Sequence, residues 1–206
     1  IGYVDAPRHV LDIACNDGSQ LNAFKEIGMD TYGIDPAENL HTISSKNHSV
    51  ICDYFTREYV DYFKDKNLDI INAQNVFAHN DYPLDFLKQC RAIMHDKSVL
   101  FIQTSQADMV RNNEFDTIYH EHLSFFCANS MKALADRAGL HLIDIRKTPI
   151  HGNSYVFVLS KMSGRPYYIQ NLINMESKLL KEQTYIDWNN NVALNMGNLK
   201  STINSY

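Results

Sequence analysis

Leu140-His141-Leu142-Ile143-Asp144-Ile145-Arg146, followed after residues 147–153 by Ser154-Tyr155-Val156-Phe157-Val158-Leu159-Ser160-Lys161, decides the fold. Both runs are rich in apolar and β-branched residues and read as strands, with no helical pattern between them. The connection of residues 147–153 is too short for the crossover that parallel strands require, so the two runs pair antiparallel. Upstream, residues 130–138 read as a helix ended by Gly139, and before them strands alternate with helices. Strands are expected at 9–14, 31–34, 49–52, 68–73 and 98–103, with helices at 20–27, 38–46 and 84–94. Such alternation implies an α/β domain with a parallel sheet covered by helices on both faces. The sheet is therefore seven-stranded and mostly parallel, finished by an antiparallel hairpin, where dinucleotide-binding dehydrogenases usually keep a parallel sixth strand. Past Gly164-Arg165-Pro166 the composition predicts one long helix over 168–190 and a polar tail. This divides the chain into an α/β domain at 1–163 and a helical C-terminal extension at 164–206.

The length of 206 residues suits one ordinary α/β domain with a small extension, and therefore one principal site. A net charge of −5, with Lys and Arg scattered, provides no footprint for a phosphate backbone, so no nucleic-acid partner is expected. No apolar run is long enough to span a bilayer and no signal-peptide pattern opens the chain, so no membrane partner is expected and the reading is cytoplasmic. Cys15, Cys52, Cys90 and Cys127 lie far apart, unlike paired zinc ligands, and read as reduced, mostly buried thiols. The chain opens at Ile1 without an initiator Met, as an excised piece of a longer polypeptide would.

In an open α/β sheet ligands bind beyond the carboxyl ends of the strands, where strand order reverses, so the turns after the strands carry the chemistry. The first is Leu11-Asp12-Ile13-Ala14-Cys15-Asn16-Asp17-Gly18. Asp12 can order the turn and accept from an ammonium group. Where a glycine-rich turn has three glycines, this one keeps Gly18 and has Ala14 and Asn16; Asn16 tolerates a left-handed backbone, and Ala14 costs little if its φ is negative. Asp17 would repel a pyrophosphate, which argues against a dinucleotide. Asp35-Pro36 follows the second strand, where a carboxylate binds ribose hydroxyls, so an adenosine is implied; a plain turn is the alternative. Asp53 can reach an adenine amino group, with Tyr54 or Phe55 stacking on the ring. Asn75, after the fourth strand, faces the rest of the cofactor, and His79 points toward an acceptor. Tyr119-His120-Glu121-His122 lies between the fifth strand and the next helix. It can act as a base or, with Asp116 or His79, offer metal ligands; zinc-protease spacing is absent and no metal is expected.

Four ordered strings resemble the deoxysugar C-methyltransferases, a family of class I S-adenosylmethionine (SAM) dependent enzymes acting on nucleotide-linked keto-sugars. These are Leu11 to Ser19 of the first turn, Gly33-Ile34-Asp35-Pro36-Ala37-Glu38-Asn39, Asn75-Val76-Phe77-Ala78-His79 and Phe115-Asp116-Thr117-Ile118-Tyr119-His120-Glu121-His122-Leu123-Ser124. The resemblance covers roughly residues 9–160. It implies SAM as cofactor, held by Asp12, Ala14, Asn16, Gly18, Asp35, Pro36, Asp53, Tyr54, Phe55 and Asn75. It also implies a small-molecule sugar or nucleotide-sugar substrate. Methylating the carbon beside a ketone requires a base for the C–H proton and a donor for the enolate oxygen. By the resemblance His122 is the base, Tyr119 and His79 orient or polarise the sugar, and Glu121 sets an imidazole tautomer or holds a hydroxyl. His120, His151 and Asn153 are expected at the substrate, Asn153 replacing the second glycine of the family's His-Gly-Gly-Ser. The family carries an N-terminal zinc module and a C-terminal Rossmann-like domain, so other domains of a longer polypeptide are possible partners. Sugar O- or N-methylation, an NAD(P)-dependent sugar oxidoreductase and a non-catalytic binding domain are the competing readings.

Overall fold

A computed structural model describes residues 3–105 and 108–205. Seven strands form one sheet: β1 (His9–Ile13), β2 (Asp30–Ile34), β3 (Ser49–Ile51), β4 (Leu68–Gln74), β5 (Met94–Thr104), β6 (His141–Thr148) and β7 (Ser154–Ser160). Their order is β3-β2-β1-β4-β5-β7-β6. The first five run parallel, while β7 pairs antiparallel with both β5 and β6. The expected hairpin is present, and the sheet is the class I SAM methyltransferase arrangement. Strand order reverses between β1 and β4, which fixes where a ligand can lie.

Among the described residues seven α-helices accompany the strands: α1 (Ser19–Glu26), α2 (Glu38–Ser44), α3 (Val60–Lys64), α4 (Pro83–Ile93), α5 (Ala128–Ala138), α6 (Pro166–Leu179) and α7 (Glu182–Asn204). One sheet face carries the larger core. There Leu11, Ile13, Ile71, Leu100, Ile102 and Phe157 meet Phe63 of α3, Phe86 and Leu87 of α4, Met131 of α5, and Ile169 and Ile173 of α6. Burying each of these large side chains stabilises the fold by roughly 1.5–3 kcal/mol. On the opposite face Val10, Met29 and Ile70 pack with Phe24 of α1.

Three differences from the sequence reading have local causes. The single C-terminal helix followed by a polar tail is instead two helices. Leu180 leaves the helical region at φ −94°, ψ 71°, and Thr184 Oγ1 accepts the Lys181 N–H at 3.4 Å to start α7. The Asn- and Ser-rich tail stays helical because a helix satisfies its own backbone irrespective of surface polarity. A short 3₁₀ turn (Arg57–Tyr59) and α3 lie between β3 and β4, beyond the periodic segments. Of the cysteines, Cys15 and Cys90 are buried, whereas Cys52 is exposed and Cys127 caps α5, its Sγ accepting the Ser130 N–H. Among the described residues no helix is long and apolar enough to cross a membrane.

Candidate functional site

The first βα turn is closed by its own amides, half of them on main-chain carbonyls and half on the side chains of Asn16, Asp17 and Asp35. The amides of Ala14 and Cys15 donate to the Ile34 carbonyl, Asn16 N–H to Asp35 Oδ2 at 2.9 Å, and Asp17 N–H to Asn16 Oδ1. Gly18 N–H goes to the Cys15 carbonyl and Ser19 N–H to Asp17 Oδ1. Every amide of residues 14–19 is thus spent inside the protein, and none is left to cradle a pyrophosphate. Ala14, Asn16 and Gly18 all take positive φ, at 61°, 52° and 84°. The expectation of negative φ for Ala14 is therefore overturned. Its left-handed backbone costs roughly 1–2 kcal/mol, set against the bonds that close the turn. Gly18 could not carry a side chain without strain, since a Cβ there would also approach His48 and Ser44. Gly33 serves the turn from β2: a Cβ on it would lie 2.6 Å from Cys15 Sγ.

Asp12 pairs across the switch point with Asn72, whose Nδ2 donates to Asp12 Oδ1 at 2.7 Å. Burial pushes the Asp12 carboxyl up to about 7; the Asn72 bond opposes this rise and the neighbouring Asp35 charge adds to it. Asp35 is also buried, and its two oxygens accept the amides of Asn16 and Ala37. A carboxylate oxygen accepts more than one bond, so Asp35 retains capacity for ribose hydroxyls. Asp53 accepts from the Tyr54 amide and the Tyr59 hydroxyl, and the latter bond holds its carboxyl below the usual range. Tyr54 is 69% exposed, whereas Phe55 packs against Phe63 and Phe86, leaving Tyr54 as the ring free to stack. Pro36 is exposed after β2, and Asn75 is exposed after β4 with φ 52°. Acidic Asp12, Asp17, Asp35 and Asp53 surround this end of the sheet, a field that suits a cationic nucleoside better than an anionic dinucleotide. These residues fit SAM, which carries a sulfonium and an ammonium.

Beside this end lies a cavity of about 390 Å³ lined by Asn75, His79, Ser105, Asp116, Thr117, Tyr119, His122 and Gly152. His122 Nδ1 lies 2.6 Å from the Thr117 carbonyl, and the Tyr119 hydroxyl lies 3.3 Å from Nε2. A carbonyl only accepts, so the neutral ring carries its proton on Nδ1 and presents a lone pair at Nε2. His79 follows the same logic, its Nδ1 lying 2.8 Å from the Glu121 carbonyl. The two imidazole centroids are 4.8 Å apart, and Tyr119 is 4.3 Å from His122. The loop is pinned beneath them by the Leu123 and Ser124 amides, which both donate to the Ala78 carbonyl.

Other expected residues stand differently. The Glu121 carboxylate faces the exposed His120 at 3.9 Å, and it is the Glu121 carbonyl that orients an imidazole. Asn153, at φ 84°, donates its side-chain amide to Asp108 Oδ2. The His151 side chain lies outside the described residues. Thr117 has no sequence signal, because any residue supplies a carbonyl. Ser105 and Gly152 reach the cavity through tertiary packing alone. Among the described residues no group of three or more His, Cys, Asp or Glu could hold a metal ion.

Residues 2–145 match the family described as "Methyltransferase domain". The chain belongs to the methyltransferase-domain family. It is a SAM-dependent methyltransferase domain, and its cofactor is SAM. One relative, the C-methyltransferase NovU of Streptomyces niveus, is 28% identical over 76% of this chain. The chain spans only 38% of the length of that relative. The ubiquinone biosynthesis O-methyltransferase of Coxiella burnetii is 25% identical, over 75% of this chain and 72% of its own length. Among solved structures, the putative methyltransferase of Haloferax volcanii in complex with the Trm112 methyltransferase activator superposes with a TM-score of 0.62. It is 12% identical, over 77% of this chain and 84% of that one. The 1,6-didemethyltoxoflavin-N1-methyltransferase of Burkholderia thailandensis, solved with bound 1,6-didemethyltoxoflavin and S-adenosylhomocysteine, gives a TM-score of 0.56 at 16% identity, over 76% of this chain and 72% of that one. These methyltransferase structures share the fold.

Proposed function

We propose that this methyltransferase domain methylates a carbon atom of a deoxysugar, as a nucleotide-linked keto-sugar, with His122 as general base. The observation that carries the reading is the His122 ring, held through Nδ1 on the Thr117 carbonyl with Nε2 facing the Tyr119 hydroxyl, both residues lining the cavity. SAM supplies a methyl group already activated on sulfur, so the chain's own task is alignment and deprotonation. Asp12, Asp35, Asp53, Tyr54 and Asn75 hold the cofactor beside the cavity. His122 Nε2 takes the proton from the carbon beside the ketone. The Tyr119 hydroxyl, which faces Nε2 in the free protein, turns to donate to the enolate oxygen as the sugar enters. His79, with its proton fixed on Nδ1, accepts from a sugar hydroxyl rather than polarising the ketone. Glu121 acts through its carbonyl, and His120, His151 and Asn153 are assigned to the substrate by the family resemblance.

Similarity to the Streptomyces C-methyltransferase supports carbon as the acceptor atom. The O-methyltransferase relatives favour one second reading, transfer to a hydroxyl, for which the same base suffices. The chain's four free cysteines fit a cytoplasmic setting. We read residues 1–163 as the transfer domain and 164–206 as its extension. Incubating the chain with 13C-methyl-labelled SAM and a panel of nucleotide keto- and amino-sugars tests the proposal. NMR should place the label on carbon; label on oxygen or nitrogen would replace this reading with the alternative.

A further inference from the structure

The acceptor loop is held from a part of the chain that lies beyond the family match. In α7, Trp188 Nε1–H donates to the Glu114 carbonyl at 3.0 Å, and Asn191 Nδ2 donates to Asn113 Oδ1 at 3.2 Å. Residues 188 and 191 are one helical turn apart, so both bonds leave the same face. The loop continues directly from this clamp into the base. The Ile118 amide closes a turn on the Phe115 carbonyl, and the Thr117 carbonyl within that turn accepts the His122 Nδ1 proton. The neighbouring Glu114 amide is tied back to Met109, so the segment between clamp and base has little freedom to rotate. α7 buries none of its residues, whereas α6 contributes Ile169 and Ile173 to the core. Core packing therefore gives no account of α7. Its half-buried Trp188, the chain's single tryptophan, spends its polar atom on the acceptor loop.

We infer that Trp188, with Asn191, is a positioning residue: α7 fixes the Thr117 carbonyl and through it the tautomer and aim of His122. This rests on the reading of His122 as the base. The clamp is an interaction of α7 rather than of the sheet, so different acceptors can be served by changing α7 while the cofactor end stays the same.

Nitrogen NMR of the histidine rings in the full chain tests the inference without an acceptor. In the parent chain His122 should show a fixed tautomer, with a protonated Nδ1 and a bare Nε2. Trp188→Phe removes the donor and keeps the ring; the two His122 nitrogens should then move toward the averaged shifts of a mixed tautomer. S-adenosylhomocysteine affinity, read by calorimetry, should change less than about twofold, because the cofactor end makes no contact with α7 in this account. Asn191→Leu removes the second bond and should produce the same shift to a smaller extent; it decides the matter if Trp188→Phe fails to fold. An unchanged His122 tautomer in the folded variants would overturn the clamp, even if their melting temperatures fall. A mixed tautomer together with undiminished methyl transfer by His122→Ala would keep the clamp and discard the base.

Discussion

The two ends of the ligand site are built in opposite ways. The cofactor end is closed by main-chain amides of residues 14–19 on their own turn and on the adjacent strand β2, with Asp35 only 19 residues from the amide it holds. The acceptor end is an irregular loop shaped by distant side chains. Lys147 and Asn153 bind Asp108, 39 and 45 residues away, and Trp188 and Asn191 reach across 74 and 78 residues. A turn whose amides are all bonded locally, to carbonyls and to Asn16, Asp17 and Asp35, holds a left-handed backbone even at Ala14 and Asn16, where glycines are usual. A loop held from afar changes shape whenever its remote partners change. Cofactor choice is therefore fixed locally, and acceptor choice is open to adjustment from elsewhere in the chain.

Changes at the cofactor end should affect binding and leave acceptor chemistry alone. The largest such effect should come from pH through Asp12. Its carboxyl titrates at about 7 in the free protein, and a bound ammonium favours the charged form. Affinity for SAM should therefore fall below that pH, by up to about tenfold per unit, so that calorimetry at pH 5 reads roughly 100-fold weaker binding than at pH 8. Flat affinity over this range would remove Asp12 from the cofactor site. Next in size is ligand stabilisation. S-adenosylhomocysteine at about 100 times its Kd should add ~2.7 kcal/mol and raise the melting temperature by roughly 5–10 °C, with no shift from NAD. A shift with NAD would contradict the closed turn.

Two smaller effects sharpen the same contrast. The folded pKa of Asp12 lies above its unfolded value, so the native state holds the extra proton between about pH 4 and 7 and loses stability as pH rises through that window. Asp12→Asn should accordingly melt higher than the parent at pH 8, by roughly 1–3 kcal/mol, with the gap closing toward pH 4. A gap that widens toward pH 4 would reverse the assignment. Ala14→Gly should relieve the left-handed backbone and stabilise the chain by about 1 kcal/mol, a rise of ~2–4 °C, with no change in acceptor turnover.

The same contrast explains how much the sequence discloses. Apolar runs and short connections fix β1, β4, β5 and the β6–β7 hairpin, because strands buried on both faces must be apolar and a short link cannot cross over. Asp12 and Asp35 are legible for a related reason: a carboxylate at a strand end is a local feature. The sign of φ at Ala14 is not, since it depends on both the 14 and 15 amides reaching the Ile34 carbonyl of the adjacent strand. At the acceptor end Tyr119, His79 and His122 stand out by residue type, but their partners do not. The Thr117 and Glu121 carbonyls that set the tautomers, the turning of the Glu121 carboxylate toward His120, and the reach of Trp188 to Glu114 are products of tertiary folding.

The central claim is that His122 is the base of the acceptor end and takes no part in holding the cofactor. It is tested most directly by His122→Ala, assayed for transfer to the keto-sugar accepted by the parent chain alongside calorimetry with S-adenosylhomocysteine. Turnover should fall by about 10²–10⁴-fold with cofactor affinity unchanged. Undiminished turnover, or a loss that merely follows weakened cofactor binding, would contradict the account.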